Sequence, residues 1–144
     1  MKYLIDTNVV SEPTARYPNL GALRWMAELG VDNCAISAIT LGEILIGIMA
    51  LRRRGSSKRL TQLTKWAGDV EKAYQGRIIP IDAQVARTWG NLYVGRTLPL
   101  NDSLVAATAL THNLTLVTRN VKDFLDIPIT IINPFDAGND DKTR

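Results

Sequence analysis

The chain has 144 residues, nearly half of them apolar and about a fifth charged, a composition ordinary for one globular domain able to bury a core. Its lone cysteine, Cys34, excludes an internal disulfide and suits a reducing cytoplasm. The longest apolar stretch, ITLGEILIGIMAL (39–51), carries Glu43 and is far short of a membrane span; the N-terminal apolar run breaks at Asp6, too early for a signal-peptide core, so a soluble cytoplasmic protein is expected.

In chain order, short strand-like runs alternate with helical ones. KYLI (2–5) predicts the first strand, ending on Asp6 with Thr7 and Asn8 behind it. Taken alone this is equally a turn, since Asp and Asn satisfy local backbone groups and often begin helices. Asn19 can cap a helix with Leu20, Leu23, Met26 and Ala27 on one face and Gly30 as its stop. CAIS (34–37) reads as the second strand, with Cys34 a small core residue, followed by a helix from about 41 to 52. LRRRGSSKR (51–59) concentrates Arg52, Arg53, Arg54, Lys58 and Arg59 in a chain whose net charge is only +3 and whose pI is ≈ 9.2. It is either a solvated loop or a footprint for phosphate. A helix from about 59 to 75 sets Leu60, Leu63, Trp66, Val70 and Tyr74 on one stripe and ends at Gly76. RIIPI (77–81) follows as a strand that Pro80 confines to a sheet edge. Asp82 can cap the next helix, with Val85, Ala86, Trp89 and Tyr93 inward and Gly95 as its stop. Asn101 can cap DSLVAATAL, which closes at His112 and Asn113. LTLV (114–117) and ITII (129–132) are the last strands, and DAGNDDKTR (136–144) reads as a flexible polar tail after a single domain spanning 1–135.

Short, continuously apolar strands alternating with helices predict an α/β fold, a parallel sheet covered on both faces. The ligand crevice of such folds lies beyond the carboxyl ends of the strands, where strand order reverses. The first strand is commonly central, which puts Asp6 at that mouth. Glu43 follows the second strand, Asp102 opens the helix before the fourth, and Asp123 comes just after the fourth; all face the same edge. Each has a structural reading of its own. Thr40-x-x-Glu43 has the form of a capping box, Asp102 suits a helix dipole, and Asp123 can begin a turn. Together, however, four carboxylates at one edge repel one another unless a divalent cation neutralises them. Oxygen-only ligands with no supporting His or Cys point to Mg²⁺ or Mn²⁺, metals that keep waters and bind phosphate, which gives phosphodiester hydrolysis a physical basis. His112 suits a helix end better than a catalytic role. Trp25, Trp66 and Trp89 fall on apolar stripes that suit a core or partner surface better than base stacking.

LIDTNVVSEP, SAITLGEILIG, PLNDSLVAATAL and LTLVTRNVKDF occur in that order and at fitting spacings. In these motifs the chain resembles the PIN-domain nucleases, specifically the VapC and FitB-like toxins of bacterial toxin–antitoxin pairs, from Lys2 to the NPF at 133–135. The resemblance implies a PIN-like three-layer α/β/α fold around a central five-stranded parallel sheet. It implies a metal-dependent endoribonuclease acting on RNA with Mg²⁺ or Mn²⁺, a homodimer, and inhibition by a small cognate antitoxin protein, with operator DNA contacted only through that antitoxin. Carried over residue by residue, it makes Asp6, Glu43, Asp102 and Asp123 the acidic positions and Asn8 and Thr118 the polar positions flanking the metal. Asp6 and Asp102, with Asp123 through water, would hold the metal. Glu43 would orient or deprotonate the attacking water, or ligate a second metal. The cations of 51–59 lie outside the family's motifs, and a role in holding the RNA backbone is inferred from charge alone.

Other readings stand beside this one. A haloacid-dehalogenase-like phosphatase would use Asp6 as nucleophile but wants a second acid two residues on, where this chain has Asn8. A receiver-like phospho-acceptor wants an acid pair near the first strand and a lysine after the last, and finds neither. A non-catalytic binding module would hold a structural metal and leave RNA intact. Finally, GEILIGIMAL is apolar nearly all round, more than one buried face needs, so part of it is expected to line a groove for a partner helix.

Overall fold

The computed structural model describes residues 1–92 and 98–136. The five apolar runs form β1 (Tyr3–Ile5), β2 (Cys34–Ser37), β3 (Ile78–Ile79), β4 (Thr115–Val117) and β5 (Ile131–Ile132). Every pairing is parallel, in the order β3-β2-β1-β4-β5. β1 is therefore central, as expected, and strand order reverses beside it. Pro80 has no N–H to give to a ladder, so β3 ends at Ile79 on the sheet edge. Leu114 gives its N–H to the Ala109 carbonyl at a helix end, so β4 begins at Thr115 rather than at 114.

The helices are α1 (Thr7–Val10), α2 (Leu20–Leu29), α3 (Ala38–Arg52), α4 (Lys58–Ala73), α5 (Ala83–Leu92) and α6 (Leu100–Thr111), with 3-10 turns at Glu12–Thr14, Val31–Asn33 and Val121–Phe124. Local chemistry sets several ends as predicted. The Asn19 side chain accepts the Ala22 N–H at 2.9 Å, and Asp82 Oδ1 accepts that of Val85 at 3.0 Å. Gly30 closes α2 at φ +81°, a left-handed conformation that costs glycine little.

Two helix starts differ from expectation. α3 begins at Ala38 instead of 41, because Ser37 Oγ accepts the Ile39 N–H at 3.1 Å directly at the end of β2. Glu43 then lies beyond the first turn, and the capping-box reading of Thr40 and Glu43 falls. α6 begins at Leu100 with Pro99 at the cap position, so Asn101 lies inside its first turn and is not the cap. The inward faces also shift. Leu20, Ala27 and Ala86 are exposed; in α2 the buried residue is Ala22, whereas in α5 Val85 is buried as expected, together with Leu92. Tyr93, Gly95 and the tail beyond Asp136 lie outside the described residues.

Alternation along the strands builds two apolar layers. Leu4, Ala35 and Leu116 face α5, α6 and Phe124, whereas Ile5, Cys34, Ile36 and Val117 face α1, α3 and α4. The three tryptophans pack against these layers: Trp25 meets Tyr3 edge-on at 6.2 Å, and Trp89 Nε1 donates to Ser103 Oγ at 2.9 Å. Among the described residues no helix is long and apolar enough to cross a membrane.

Candidate active site

The site is built where strand order reverses. β1 and β4 pair in register up to Ile5 and Val117, so the next residues, Asp6 and Thr118, leave the sheet side by side. The Asp6 N–H still donates to the Val117 carbonyl at 2.9 Å, and Thr118 N–H to that of Ile132 at 3.0 Å. Thr118 Oγ1 donates to Asp6 Oδ2 at 2.8 Å, and both residues are buried. Asp6 Oδ1 accepts the Thr7 N–H at 2.9 Å and so caps α1.

Asn8 ties the pair together. Its Nδ2 reaches Asp6 Oδ2 at 3.3 Å and Thr118 Oγ1 at 3.2 Å, while its Oδ1 accepts the Arg119 N–H at 3.1 Å. Thr118 Oγ1 accepts in addition the Asn120 N–H at 3.1 Å. Despite three hydrogen bonds, the Asp6 carboxyl is raised above the ordinary carboxylate range, first by burial and further by the negative charge of Glu43.

Glu43 is held by a residue to which the sequence reading gave no role. Thr7 Oγ1 donates to Glu43 Oε1 at 2.8 Å, with the Thr40 hydroxyl 3.3 Å from Thr7. The only signal was position: Thr7 sits between Asp6 and Asn8 in a motif read for its acid and amide. Asp102 lies in the first turn of α6, and Asp123 lies exposed on the 3-10 turn that Phe124 anchors in the core.

The Asp102 carboxyl is pushed up to about 6, first by burial, then by the charges of Asp6, Asp123 and Glu43. The four acids therefore share one electrostatic environment, and among the described residues nothing that acts on Asp102 there is a cation. They do not close into a cage: among the described residues no three His, Cys, Asp or Glu side chains are drawn together tightly enough to hold an ion between them. The donor set is all oxygen and acidic, which suits a hard divalent cation.

The basic segment lies apart from the acids. Arg52, Arg53, Arg54, Lys58 and Arg59 are all exposed at the α3–α4 turn. Arg52 is nine residues beyond Glu43 on α3, about 14 Å along the helix axis. Arg59 Nη2 donates to the Thr14 carbonyl at 2.5 Å, which links the segment to the 3-10 turn after α1. Lys58 and Arg59 open α4, where the helix dipole disfavours cations, so they bring that helix no electrostatic benefit. His112 caps the C-terminal end of α6, as its position suggested.

Residues 3–129 match the family model described as PIN domain. The chain is 32% identical over 137 residues to Toxin FitB of Neisseria gonorrhoeae, covering 92% of this chain and 97% of that one. It is 29% identical over 138 residues to the VapC ribonuclease Y4jK of Sinorhizobium fredii, with the same coverage of 92% and 97%. Among solved structures, FitAcB from Neisseria gonorrhoeae superposes with a TM-score of 0.85 at 30% identity, over 92% of this chain and 98% of that one. VapBC2 from Rickettsia felis, bound to a DNA fragment from its promoter, superposes with a TM-score of 0.75 at 28% identity, over 92% and 98%.

Proposed function

The chain belongs to the PIN-domain family, and from that premise we propose that it is a divalent-metal-dependent endoribonuclease, the toxin of a toxin–antitoxin pair. The observation that carries the reading is the set of four carboxylates at the sheet's switch point, with Asp102 raised to about 6 by burial first and then by the charges of Asp6, Asp123 and Glu43. Relatives named as a toxin and as a VapC ribonuclease support it.

Mg²⁺ or Mn²⁺ is the cofactor that fits. Such an ion keeps several waters and needs only one or two direct carboxylates, which suits acids that influence one another without forming a cage. When bound, it supplies a lowered pKa for a water and neutralises charge on the attacked phosphate. Asp6 and Asp102 would hold it, with Asp123 through water. Thr118 and Asn8 fix the Asp6 carboxylate by the bonds at 2.8 Å and 3.3 Å. Glu43, steadied by Thr7, orients or deprotonates the attacking water. Arg52, Arg53, Arg54, Lys58 and Arg59 hold the flanking RNA backbone without reading its sequence. The phosphatase alternative is disfavoured because both Asp6 oxygens are engaged by Thr7, Asn8 and Thr118, leaving a poor in-line nucleophile.

The partner reading rests on α3. Leu45, Ile46 and Met49 are 48%, 69% and 46% exposed, beside an apolar groove of ≈ 380 Å³ between α3 and α4 lined by Leu45, Ile48, Met49 and Ala67. We assign this face to an apolar segment of the cognate antitoxin, through which operator DNA would be reached; the relatives FitAcB and DNA-bound VapBC2 support that partner. A homodimer working in the cytoplasm belongs to the same reading, on family likeness alone.

The test is incubation of the purified, antitoxin-free chain with total cellular RNA in Mg²⁺ or Mn²⁺, followed by analysis of the cut ends. Attack by water predicts discrete fragments without 2′,3′-cyclic phosphates, and none in EDTA. Intact RNA would contradict the ribonuclease reading, and cyclic ends would contradict water as the nucleophile.

A further inference from the structure

Arg119 stands between Thr118 and Asn120 at the mouth of the crevice and has no part in the mechanism above. It is exposed yet held at two points. Its backbone N–H donates to Asn8 Oδ1 at 3.1 Å, the same side chain that braces Asp6 and Thr118. Its guanidinium lies 4.5 Å over the ring of Phe135, the shortest cation–ring approach among the described residues.

Phe135 is itself fixed. Its N–H donates to Asn133 Oδ1 at 3.0 Å, the Asp136 N–H returns to the Asn133 carbonyl at 3.2 Å, and Pro134 between them is buried. The ring packs on the apolar layer that holds Ile5 and Val117. The Asn-Pro-Phe turn near the C-terminal end therefore sets an aromatic plate beneath a cation whose backbone adjoins Thr118 and is bonded to Asn8 of the acid site. A guanidinium stacked by its face keeps its N–H edge for bidentate contact with phosphate. Four carboxylates at the crevice repel an incoming polyanion, and a fixed cation at their rim offsets that repulsion.

We propose that Arg119, stacked on Phe135, grips the RNA phosphate next to the one being cut, which makes the 133–135 turn a positioning element of the site. The inference rests on the ribonuclease reading.

The experiment measures binding of a fluorescein-labelled single-stranded RNA in EDTA across a salt series, and cleavage of the same RNA in Mn²⁺. Arg119→Ala should weaken binding about tenfold and make the log–log salt slope shallower by about 0.7, the value of one phosphate contact on a single strand. Arg119→Lys should keep the slope but cleave less well, having lost the planar fork. Phe135→Leu should raise KM with kcat little changed, and Phe135→Trp should restore it. Wild type that binds and cuts, beside an Arg119→Ala variant of equal affinity and slope, would overturn the proposal and leave Arg119 as an anchor for the turn. Should Arg119→Ala fail to fold, a folded Arg119→Lys with wild-type kcat/KM would overturn it equally. Wild type that neither binds nor cuts RNA would remove the ribonuclease reading, and this inference with it.

Discussion

Asp102 occupies the first turn of α6, where the helix dipole favours a negative charge, and its carboxyl is nevertheless pushed up to about 6 by burial and three neighbouring acids. In the unfolded chain the same group titrates near 3.8. The folded state thus binds more protons between those values, so without metal this group's penalty is present above about pH 6 and is relieved as pH falls towards 4. Urea denaturation in EDTA should show Asp102→Asn more stable than wild type at pH 7, with the difference closing at pH 4.5. A variant equally stable at both pH values would contradict the shared electrostatics. Because a cation competes with the proton for the ionised form, Mn²⁺ affinity should weaken as pH falls below about 6, reversing the sign of the stability effect. At Thr118 the expectation concerns orientation: Thr118→Val removes the 2.8 Å bond to Asp6 while keeping the shape, and should lower kcat/KM by about ten- to a hundredfold. Thr118→Ser, which keeps the hydroxyl, should retain most of the rate. The four acids and Asn8 and Thr118 were legible in the sequence because the four motifs carry them. Thr7 and Arg119 were not, because their partners, Glu43 and Phe135, are brought to them only by folding.

At the scale of elements, what was legible was what is local. Asn19, Asp82 and Gly30 act within three or four residues of themselves, and each does in the structure what its position suggested. The start of α3 was misread because Thr40 and Glu43 imitate a capping box, whereas the helix begins straight from β2 with Ser37 as its cap. That shift frees Glu43 for the site. Ser37→Ala should cost about 1 kcal/mol, the usual loss for a missing N-cap, measured by urea denaturation. A cost near zero would argue against the observed start. Faces were harder to read than ends: Ala86 and Leu20 carry apolar side chains at helical spacing but are exposed, since the sheet decides which stripe is covered. The short strands were legible from composition, and their trimming follows from Pro80 and from the Leu114 N–H returning to α6.

At the scale of the molecule, one end of the sheet carries the acids and α3 runs from it with an uncovered apolar face. Exposing Leu45, Ile46 and Met49 together to water brings no gain unless a partner covers them. Ile46→Lys combined with Met49→Lys should abolish co-purification with the cognate antitoxin and its inhibition of cleavage, while antitoxin-free cleavage stays near wild type. Retained inhibition would move the antitoxin to another surface.

We propose the switch-point carboxylates as a metal-dependent nuclease site. Single-turnover cleavage of one labelled structured RNA by wild type and by Asp6→Asn, each in Mn²⁺ and in EDTA, tests it most directly. Wild type should cut in Mn²⁺ alone, and Asp6→Asn should lose roughly a hundredfold or more while staying folded. Cutting that persists in EDTA, or an Asp6→Asn variant that cuts at the wild-type rate, would contradict it.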